Sequence, residues 1–246
     1  MQNTYAVVWR LIDGKDNPMK EIEKPKNINK QNKDFYNKDE LKILFDIIEK
    51  IPLYQQLMIK LALFGGLRRG EILALADDVL DFSSNKILVK RSLQYSKAEG
   101  LKLKGTKTEG QRTIILPKKF MEELKIYLDE RLYLKDEMDR LWKGFKDDTG
   151  KKVLLLFSNE YGIPFRPDSV TQFWGRLMNK NKDKIKRIRF HDLRHSSASL
   201  ILSEGVNMKV VQKRLGHKNI KTTLNMYAHI TDEDDKKASD IFNEFH

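Results

Sequence analysis

The sequence contains no cysteine in its 246 residues. Disulfides, thiolate zinc sites and cysteine nucleophiles are therefore excluded. Long hydrophobic runs are also missing, because the best candidate, LMIKLALF at residues 57–64, is too short to span a bilayer and contains Lys60. Met1 is not followed by a secretory leader. We therefore expect a cytoplasmic protein without a membrane partner.

Acidic residues are outnumbered, since 35 Asp and Glu stand against 47 Lys and Arg, and the net charge is +12 at pH 7. Basic residues concentrate at residues 15–38, 102–119 and 176–189, whereas acidic residues gather at residues 232–235. An uneven basic surface favours a polyanionic partner, because bound Lys and Arg release counterions from nucleic acid. A lysine-rich surface that serves solubility alone is the other interpretation.

Composition divides the chain into four segments. Residues 1–17 predict the trailing helix of a domain that is otherwise missing, and residues 18–35, polar and Lys-rich with two prolines, predict a basic linker. Residues 36–230 carry the apolar periodicity of a compact domain. Residues 231–246 predict a tail helix with acidic residues in its first turn, where they suit the helix dipole.

The compact segment is predicted to be mainly α with a small antiparallel β-sheet, an α+β fold. Asn37 and Glu40 resemble a capping box at the start of its first helix. The strands are expected to pair as an antiparallel meander. The expected elements are helices over 53–64, 68–76, from Pro117 past Leu128, and over 169–178, 191–204, 207–215 and 221–229, strands over 87–95, 101–107 and 112–116, a short buried segment over 153–157, and helix-ending glycines at 65, 66, 205 and 216.

The stretch FHDLRH places His191, Arg194 and His195 within about one helical turn. The two imidazoles have the i, i+4 spacing of zinc-binding helices. However, Asp192 stands where an HExxH motif has Glu, Arg194 opposes a cation, and no acidic third ligand is evident. A phosphate site fits better, because a guanidinium matches phosphate oxygens and a nearby His can transfer a proton near neutral pH. We therefore predict no metal.

Three other motifs surround this one in a definite order. GLRRGEILAL (66–75) places an Arg at the head of a short helix, and TKTEGQRTIIL (106–116) places a Lys at a hairpin tip. LGHKNIKTTLNMYAHI (215–230) places a His after a helix-stopping Gly and a Tyr ten residues later. Together with HDLRH, these motifs resemble the tyrosine recombinase (phage integrase) family. The resemblance covers roughly residues 36–230 and implies the catalytic-domain fold, while residues 5–18 resemble the last helix of the family's core-binding domain.

The resemblance implies a set of catalytic residues, each carried over at its own position within the four motifs. Glu71 would be a supporting carboxylate that orients a cationic neighbour, and His195 is expected to be structural. Lys102 and Lys104 are rivals for the role of the hairpin lysine. The implied catalytic residues are Arg68, Lys107, His191, Arg194, His217 and Tyr227.

In the reaction that the resemblance implies, the Tyr227 hydroxyl attacks a DNA phosphodiester and a 3′-phosphotyrosyl bond forms. The two arginines would hold the equatorial oxygens, His191 would accept the phenol proton, and Lys107 would protonate the leaving 5′-oxygen. The scheme needs no cofactor. It implies a site-specific recombinase, or integrase. The alternatives are a two-metal nuclease or transposase, a non-catalytic DNA-binding protein on the same scaffold, and a type IB topoisomerase-like relaxase.

The expected partners are double-stranded DNA and further copies of the chain. The apolar side chains of Ile241, Phe242 and Phe245 are expected to dock the tail on a neighbouring protomer of a tetramer on DNA, or else to pack on their own domain. Phosphate contacts position DNA without reading its sequence. Six basic residues are candidates for such contacts, and a solvated surface is the other interpretation of each. The candidates for phosphate contacts are Lys24, Lys26, Lys30, Lys33, Arg176 and Arg189.

Overall fold

The structure, a computed structural model, describes residues 34–105 and 110–216. All of them belong to the compact unit 33–246, one of the two units into which the chain divides. The predicted helices over 1–17, 221–229 and 231–246 lie outside the described residues. The division of the chain into four segments therefore stays a prediction.

Helices dominate the described ranges, and every strand pairing in them is antiparallel, so that the predicted α+β class is confirmed. The helices are α1 (Lys38–Ile48), α2 (Leu53–Phe64), α3 (Arg69–Leu73), α4 (Lys118–Met138), α5 (Pro167–Lys180), α6 (Asp192–Ser203) and α7 (Met208–Leu215). The strands are β1 (Leu80–Asp81), β2 (Lys86–Val89), β3 (Arg91–Ser96), β4 (Gly100–Gly105), β5 (Arg112–Ile115), β6 (Phe145–Lys146) and β7 (Lys152–Val153).

The strands form three small sheets instead of the single meander that the sequence predicts. In the first sheet β2 lies between β1 and β5, and Ile87 faces Ile114. The second sheet is the hairpin β3–β4, in which Leu93 faces Leu103. The third is the short hairpin β6–β7. The strand β5, which follows the second sheet in the chain, thus returns to the first.

The predicted strand over 87–95 is wrong in one respect, because Lys90 divides it into β2 and β3. Lys90 Nζ lies 2.9 Å from a carboxylate oxygen of Asp78, and Arg91 pairs with the other oxygen of the same carboxylate. Two adjacent residues therefore turn toward one anion, and the chain leaves the first sheet at this point. Burial still alternates on both sides of the division, which explains why the sequence pattern suggests one strand.

Local signals at α1 and α2 are confirmed. The Glu40 amide donates to Asn37 Oδ1 at 2.9 Å, and the Asn37 amide donates to Glu40 Oε2 at 2.8 Å, which completes the capping box. Helix α2 has the predicted bounds and ends at Gly65. Gly66 follows with φ of +61°, a conformation that glycine adopts without a steric penalty.

Helix α2 lies within the core and packs against α6. All of its residues are buried or half-buried, as is expected of a largely apolar helix. Its end therefore fixes the backbone that leads into α3. The buried residues of α2 are Leu57, Met58, Ile59, Leu61, Ala62 and Leu63.

Helix α3 is shorter than the predicted helix over 68–76. The backbone after it pairs with the segment 153–157 instead, since the Leu156 amide donates to the Leu75 carbonyl at 3.0 Å. In a longer helix the Leu75 carbonyl would point along the helix axis, but here it accepts the bond from Leu156. The segment 153–157 is buried, as predicted.

Helices α6 and α7 lie within the predicted ranges, and glycines follow both of them as predicted. Gly205 has φ of +79° and Gly216 has φ of +64°. Left-handed glycines at these positions satisfy the last carbonyls of a helix. Within residues 34–105 and 110–216, no helix combines the length and the apolar character that a bilayer crossing requires.

Candidate active site

The carboxylate of Glu71 is the centre of a buried cluster at the start of α3. Glu71 is 4% exposed. The Arg68 amide donates to Glu71 Oε2 at 2.9 Å, and Arg68 Nη1 donates to Oε1 at 2.9 Å. Arg68 is thus held by its main chain and its guanidinium at once, while 42% of its side chain remains exposed.

A second guanidinium completes the cluster. Arg112 Nη1 donates to Glu71 Oε1 at 3.0 Å, and Arg112 Nη2 donates to Oε2 at 2.7 Å. Burial opposes the charged form of Glu71, but the bonds and charge of Arg112, followed by those of Arg68, lower the pKa of Glu71 to about 2. Glu71 is therefore an anion at any physiological pH, and the predicted orienting role has a geometric basis.

Sequence reasoning missed Arg112, which it treated only as the first residue of a strand. A signal was available, because Arg112 and Ile114 have the i, i+2 spacing of one strand face. Ile114 belongs to the core, so an arginine on the same face needs a buried anionic partner.

Arg194 lies deeper, behind the same cluster. It is 1% exposed, and its two terminal nitrogens donate to the carbonyls of Gly66 and Leu215. Burial, followed by repulsion from Arg68, lowers the pKa of Arg194 to about 9, which leaves the guanidinium charged at neutral pH. The two carbonyl bonds fix the plane of the guanidinium against the ends of α2 and α7.

His191 stands at the start of α6 and is an exposed residue. Desolvation of its imidazole, and then the nearby charge of Arg194, lower the pKa of His191 below its ordinary value of 6.5. The ring is therefore neutral at pH 7 and able to accept a proton. Its neighbour on the helix is His195, with ring centroids 5.4 Å apart and planes nearly perpendicular.

A cleft of about 730 Å³ opens beside these groups. Of the predicted site residues, Arg68, His191 and Arg189 line it together. Arg189 reaches it while its guanidinium forms two bonds of 2.9 Å to the carboxylate of Asp192. Arg176 is exposed on α5 and is not among the lining residues. The other polar lining residues are Arg69, Ser92, Gln94, Tyr95, Asp168 and Thr171.

The last carbonyls of α7 receive bonds from three arginines of this region. Arg112 Nε donates to the Arg214 carbonyl at 2.7 Å, and Arg194 donates to Leu215. Arg68 Nη2 lies 3.5 Å from the Gly216 carbonyl. A helix C-terminus carries unpaired carbonyls and partial negative charge, so cations stabilise it. These bonds connect the C-terminal end of α7 to Arg68, Arg112 and Arg194.

The remaining predicted site residues lie outside the described residues: Lys107, His217 and Tyr227, and the linker lysines Lys24, Lys26, Lys30 and Lys33. Both rivals of Lys107 lie on β4, where Lys102 forms a 2.6 Å ion pair with Glu99 and Lys104 is exposed. Among the residues that the structure describes, no group of three or more His, Asp or Glu is placed to hold a metal ion.

The described arrangement suits a phosphate-like anion. Two guanidiniums, one at the cleft and one behind it, supply fixed positive charge and planar sets of donors. A neutral imidazole at the same cleft supplies a proton acceptor. Because bonding fixes the two guanidiniums in advance, they need little reorganisation when charge develops on a substrate.

Comparison with known proteins defines the class of the chain. The sequence model of the phage integrase family matches residues 34–234. The chain therefore belongs to the phage integrase family, the tyrosine recombinases, and the predicted family and catalytic-domain fold are confirmed.

Individual relatives agree with this assignment. Tyrosine recombinase XerC of Bacillus pumilus is 31% identical over 242 residues, which cover 97% of this chain and 70% of XerC. Transposase A from transposon Tn554 of Staphylococcus aureus is 29% identical over 192 residues, or 77% of this chain and 46% of the transposase. The chain thus spans about half the length of the Tn554 protein. The Tn1549 transposon integrase, solved in complex with transposon right end DNA, gives a TM-score of 0.70 at 26% identity and covers 84% of this chain and 65% of that one.

Proposed function

We propose that the chain is the catalytic part of a site-specific DNA recombinase that cuts and rejoins strands through a 3′-phosphotyrosyl intermediate on Tyr227. The observation that carries the proposal is the meeting of Arg68 and His191, from two separate motifs, at one cleft with Arg194 fixed behind it. Family membership and the order of the four motifs support it.

In the proposed reaction the Tyr227 oxygen attacks phosphorus, and the bond from phosphorus to the 5′-oxygen breaks. The phenol proton passes to His191, whose lowered pKa keeps it neutral at pH 7. The 5′-oxygen takes a proton from Lys107, and His217 donates a hydrogen bond to the phosphate. Attack by another 5′-hydroxyl reverses the step on a new strand, so cutting becomes joining without an external energy source.

Arg68 and Arg194 have different parts in this proposal. Arg68 lines the cleft and is half exposed, so it contacts the phosphate oxygens from the cleft surface. Arg194 is buried, with two terminal nitrogens on carbonyls. A guanidinium has five N–H donors, so this bonding leaves donors for phosphate. The positive charge of Arg194 also stabilises the anionic transition state.

The decisive experiment is covalent capture on nicked DNA. The full chain is incubated with a pool of nicked duplexes of randomised sequence, separated on a denaturing gel, and digested for peptide mapping and sequencing of the attached DNA. We expect an adduct on Tyr227 that survives EDTA and is absent from Tyr227→Phe. Binding without an adduct would favour a non-catalytic DNA-binding protein, and EDTA-sensitive cutting without an adduct would favour a two-metal nuclease.

The partners in this proposal are double-stranded DNA and other copies of the chain, and the place of action is the cytoplasm. Arg189 at the cleft, Arg176 on α5 and the linker lysines would contact phosphates. The tail over 231–246 would dock on a neighbouring protomer of a tetramer. Truncation after Ile230 is then expected to preserve DNA binding and to abolish synapsis in a gel-shift assay. Unchanged synapsis would contradict the role of the tail.

A further inference from the structure

Arg112 is a buried cation that contributes nothing to the cleft surface. It is 7% exposed and is not among the residues that line the cleft. Three of its nitrogens are nevertheless bonded to the site. Two hold the carboxylate of Glu71, and Nε holds the carbonyl of Arg214.

We infer that Arg112 is a positioning residue. It fixes the carboxylate of Glu71, and through that carboxylate it fixes the position of the Arg68 guanidinium relative to the end of α7. The inference rests on the proposed function, in which Arg68 contacts the scissile phosphate. Arg112 itself touches neither the cleft nor a reacting atom.

The bonding of Glu71 explains how Arg112 acts on Arg68. Each carboxylate oxygen accepts one bond from Arg68 and one from Arg112, so Oε1 and Oε2 are both shared. The bidentate fork of Arg112 therefore fixes the plane and the rotation of the carboxylate. Without the fork, only the two bonds from Arg68 hold the carboxylate, so the carboxylate and the Arg68 guanidinium lose their fixed orientation together.

A second link joins Arg112 to the chain beyond α7. A Cβ atom built on Gly216 would lie 3.0 Å from Arg112 Nη1 and 3.1 Å from Arg112 Cδ. Gly216 also has φ of +64°, so the position favours glycine for two separate reasons. The guanidinium of Arg112 thus packs directly against the turn that leads from α7 to His217.

Lysine is a poor substitute at this position, although it keeps the charge. An ammonium is a point charge and cannot bond both oxygens of Glu71 and the Arg214 carbonyl in one plane. Arg112→Lys therefore tests geometry with little change in charge. Misplacement of a catalytic group by about 1 Å can lower a rate on the order of 100-fold. We expect a loss of that size in the rate of covalent cleavage.

Arg131 on α4 provides a matched control. It is also 7% exposed, and it bonds Ser158 Oγ at 3.0 Å and the Asn159 carbonyl at 2.6 Å, away from the cluster around Glu71. Arg131→Lys is expected to lower the melting temperature by an amount similar to Arg112→Lys. It is expected to leave the cleavage rate of the folded protein within about twofold of the wild type.

The experiment measures single-turnover formation of the covalent adduct, DNA affinity and melting temperature for Arg112→Lys, Arg131→Lys, Arg68→Lys and the double variant Arg68→Lys/Arg112→Lys. If Arg112 acts through Arg68, the double variant is about as slow as Arg68→Lys alone. DNA affinity stays within about threefold in Arg112→Lys. Multiplicative losses in the double variant, or equal losses of rate in Arg112→Lys and Arg131→Lys, would overturn the inference.

Hydrogen exchange separates this inference from the proposed function. Arg112→Lys is expected to speed amide exchange in peptides that cover residues 68–73 and 213–216, whereas Arg131→Lys does not. Unchanged exchange in both peptides overturns the positioning role, whether or not the wild type forms an adduct. Faster exchange in both peptides, with no adduct from the wild type, supports the positioning role and contradicts the proposed reaction.

Discussion

At the scale of single residues, Glu71 organises the candidate site because it brings two guanidiniums to one buried carboxylate. A buried carboxylate is costly unless its charge is paired and its oxygens are bonded. Arg68 and Arg112 meet both requirements. That pairing lowers the pKa of Glu71 to about 2.

The lowered pKa makes stability depend on pH in a defined window. A carboxylate with a pKa of about 2 in the folded protein and an ordinary value of 4.5 stabilises the fold fully above about pH 4.5. The contribution, on the order of 3 kcal/mol, is lost as pH falls from 4.5 toward 2. Urea unfolding between pH 7 and pH 3 is expected to show this loss in the wild type and not in Glu71→Gln.

Other carboxylates titrate in the same pH window. The quantity to compare is therefore the difference in free energy of unfolding between the wild type and Glu71→Gln. Glu71→Gln is expected to be less stable at pH 7 by about 3–5 kcal/mol, because it leaves buried guanidiniums without their anion. The difference should shrink as the pH falls. A difference that stays constant from pH 7 to pH 3 would contradict the assignment of Glu71 as the buried anion.

His191 gives a second prediction at this scale. Because burial and Arg194 lower its pKa, the neutral base predominates above an ordinary value of 6.5. The single-turnover cleavage rate is expected to be flat from pH 7 to pH 8 and to fall on the acid side, with a midpoint below 6.5. His191→Asn is expected to remove this acid limb and to slow cleavage roughly 100-fold or more. An acid limb that persists in His191→Asn would assign the base to another residue.

At the scale of elements, local patterns predicted helices well and strand pairing poorly. The capping box at Asn37 and the glycines after α2, α6 and α7 act within a few residues, so the sequence displays them directly. The pairing of β2 with β5 depends on residues far apart in the chain. The same is true of Arg112 and Glu71, which lie on a strand and a helix that only the folded chain brings together.

The close approach of α3 to β3 gives a prediction at the scale of elements. A Cβ atom on Gly70 would lie 2.6 Å from Ser92 Oγ and 2.8 Å from the Leu93 carbonyl. Gly70→Ala is therefore expected to push α3 away from β3 and to displace Arg68 at its start. We expect a stability loss of about 1–3 kcal/mol in urea and slower cleavage.

Gly175→Ala is the matched control for this change. A Cβ atom on Gly175 in α5 meets nothing within 4 Å, so alanine gains helix propensity there without a clash. It is expected to stabilise the protein by about 0.5–1 kcal/mol. If Gly70→Ala were as stable and as active as Gly175→Ala, the contact between α3 and β3 would not position Arg68.

At the scale of the whole molecule, a net charge of +12 is expected to act through particular faces. Arg68, Arg69 and Arg189 line one cleft. A separate cavity at the end of α4 is lined by equal numbers of basic and acidic residues: Lys135, Lys143, Lys152, Asp77, Asp136 and Asp139. The cleft has an excess of positive charge and the cavity has none, so loss of one positive charge should have different consequences in each.

Salt dependence of DNA binding distinguishes these surfaces. Each phosphate contact contributes about one unit to the slope of log affinity against log salt concentration. Arg189→Gln is expected to lower that slope by about 1, and Arg176→Gln to do the same if α5 lies along the duplex. Lys135→Gln, which removes the same charge beside three carboxylates, is expected to leave the slope unchanged. Equal changes in Arg189→Gln and Lys135→Gln would mean that net charge, and not the arginine-lined cleft, holds the DNA.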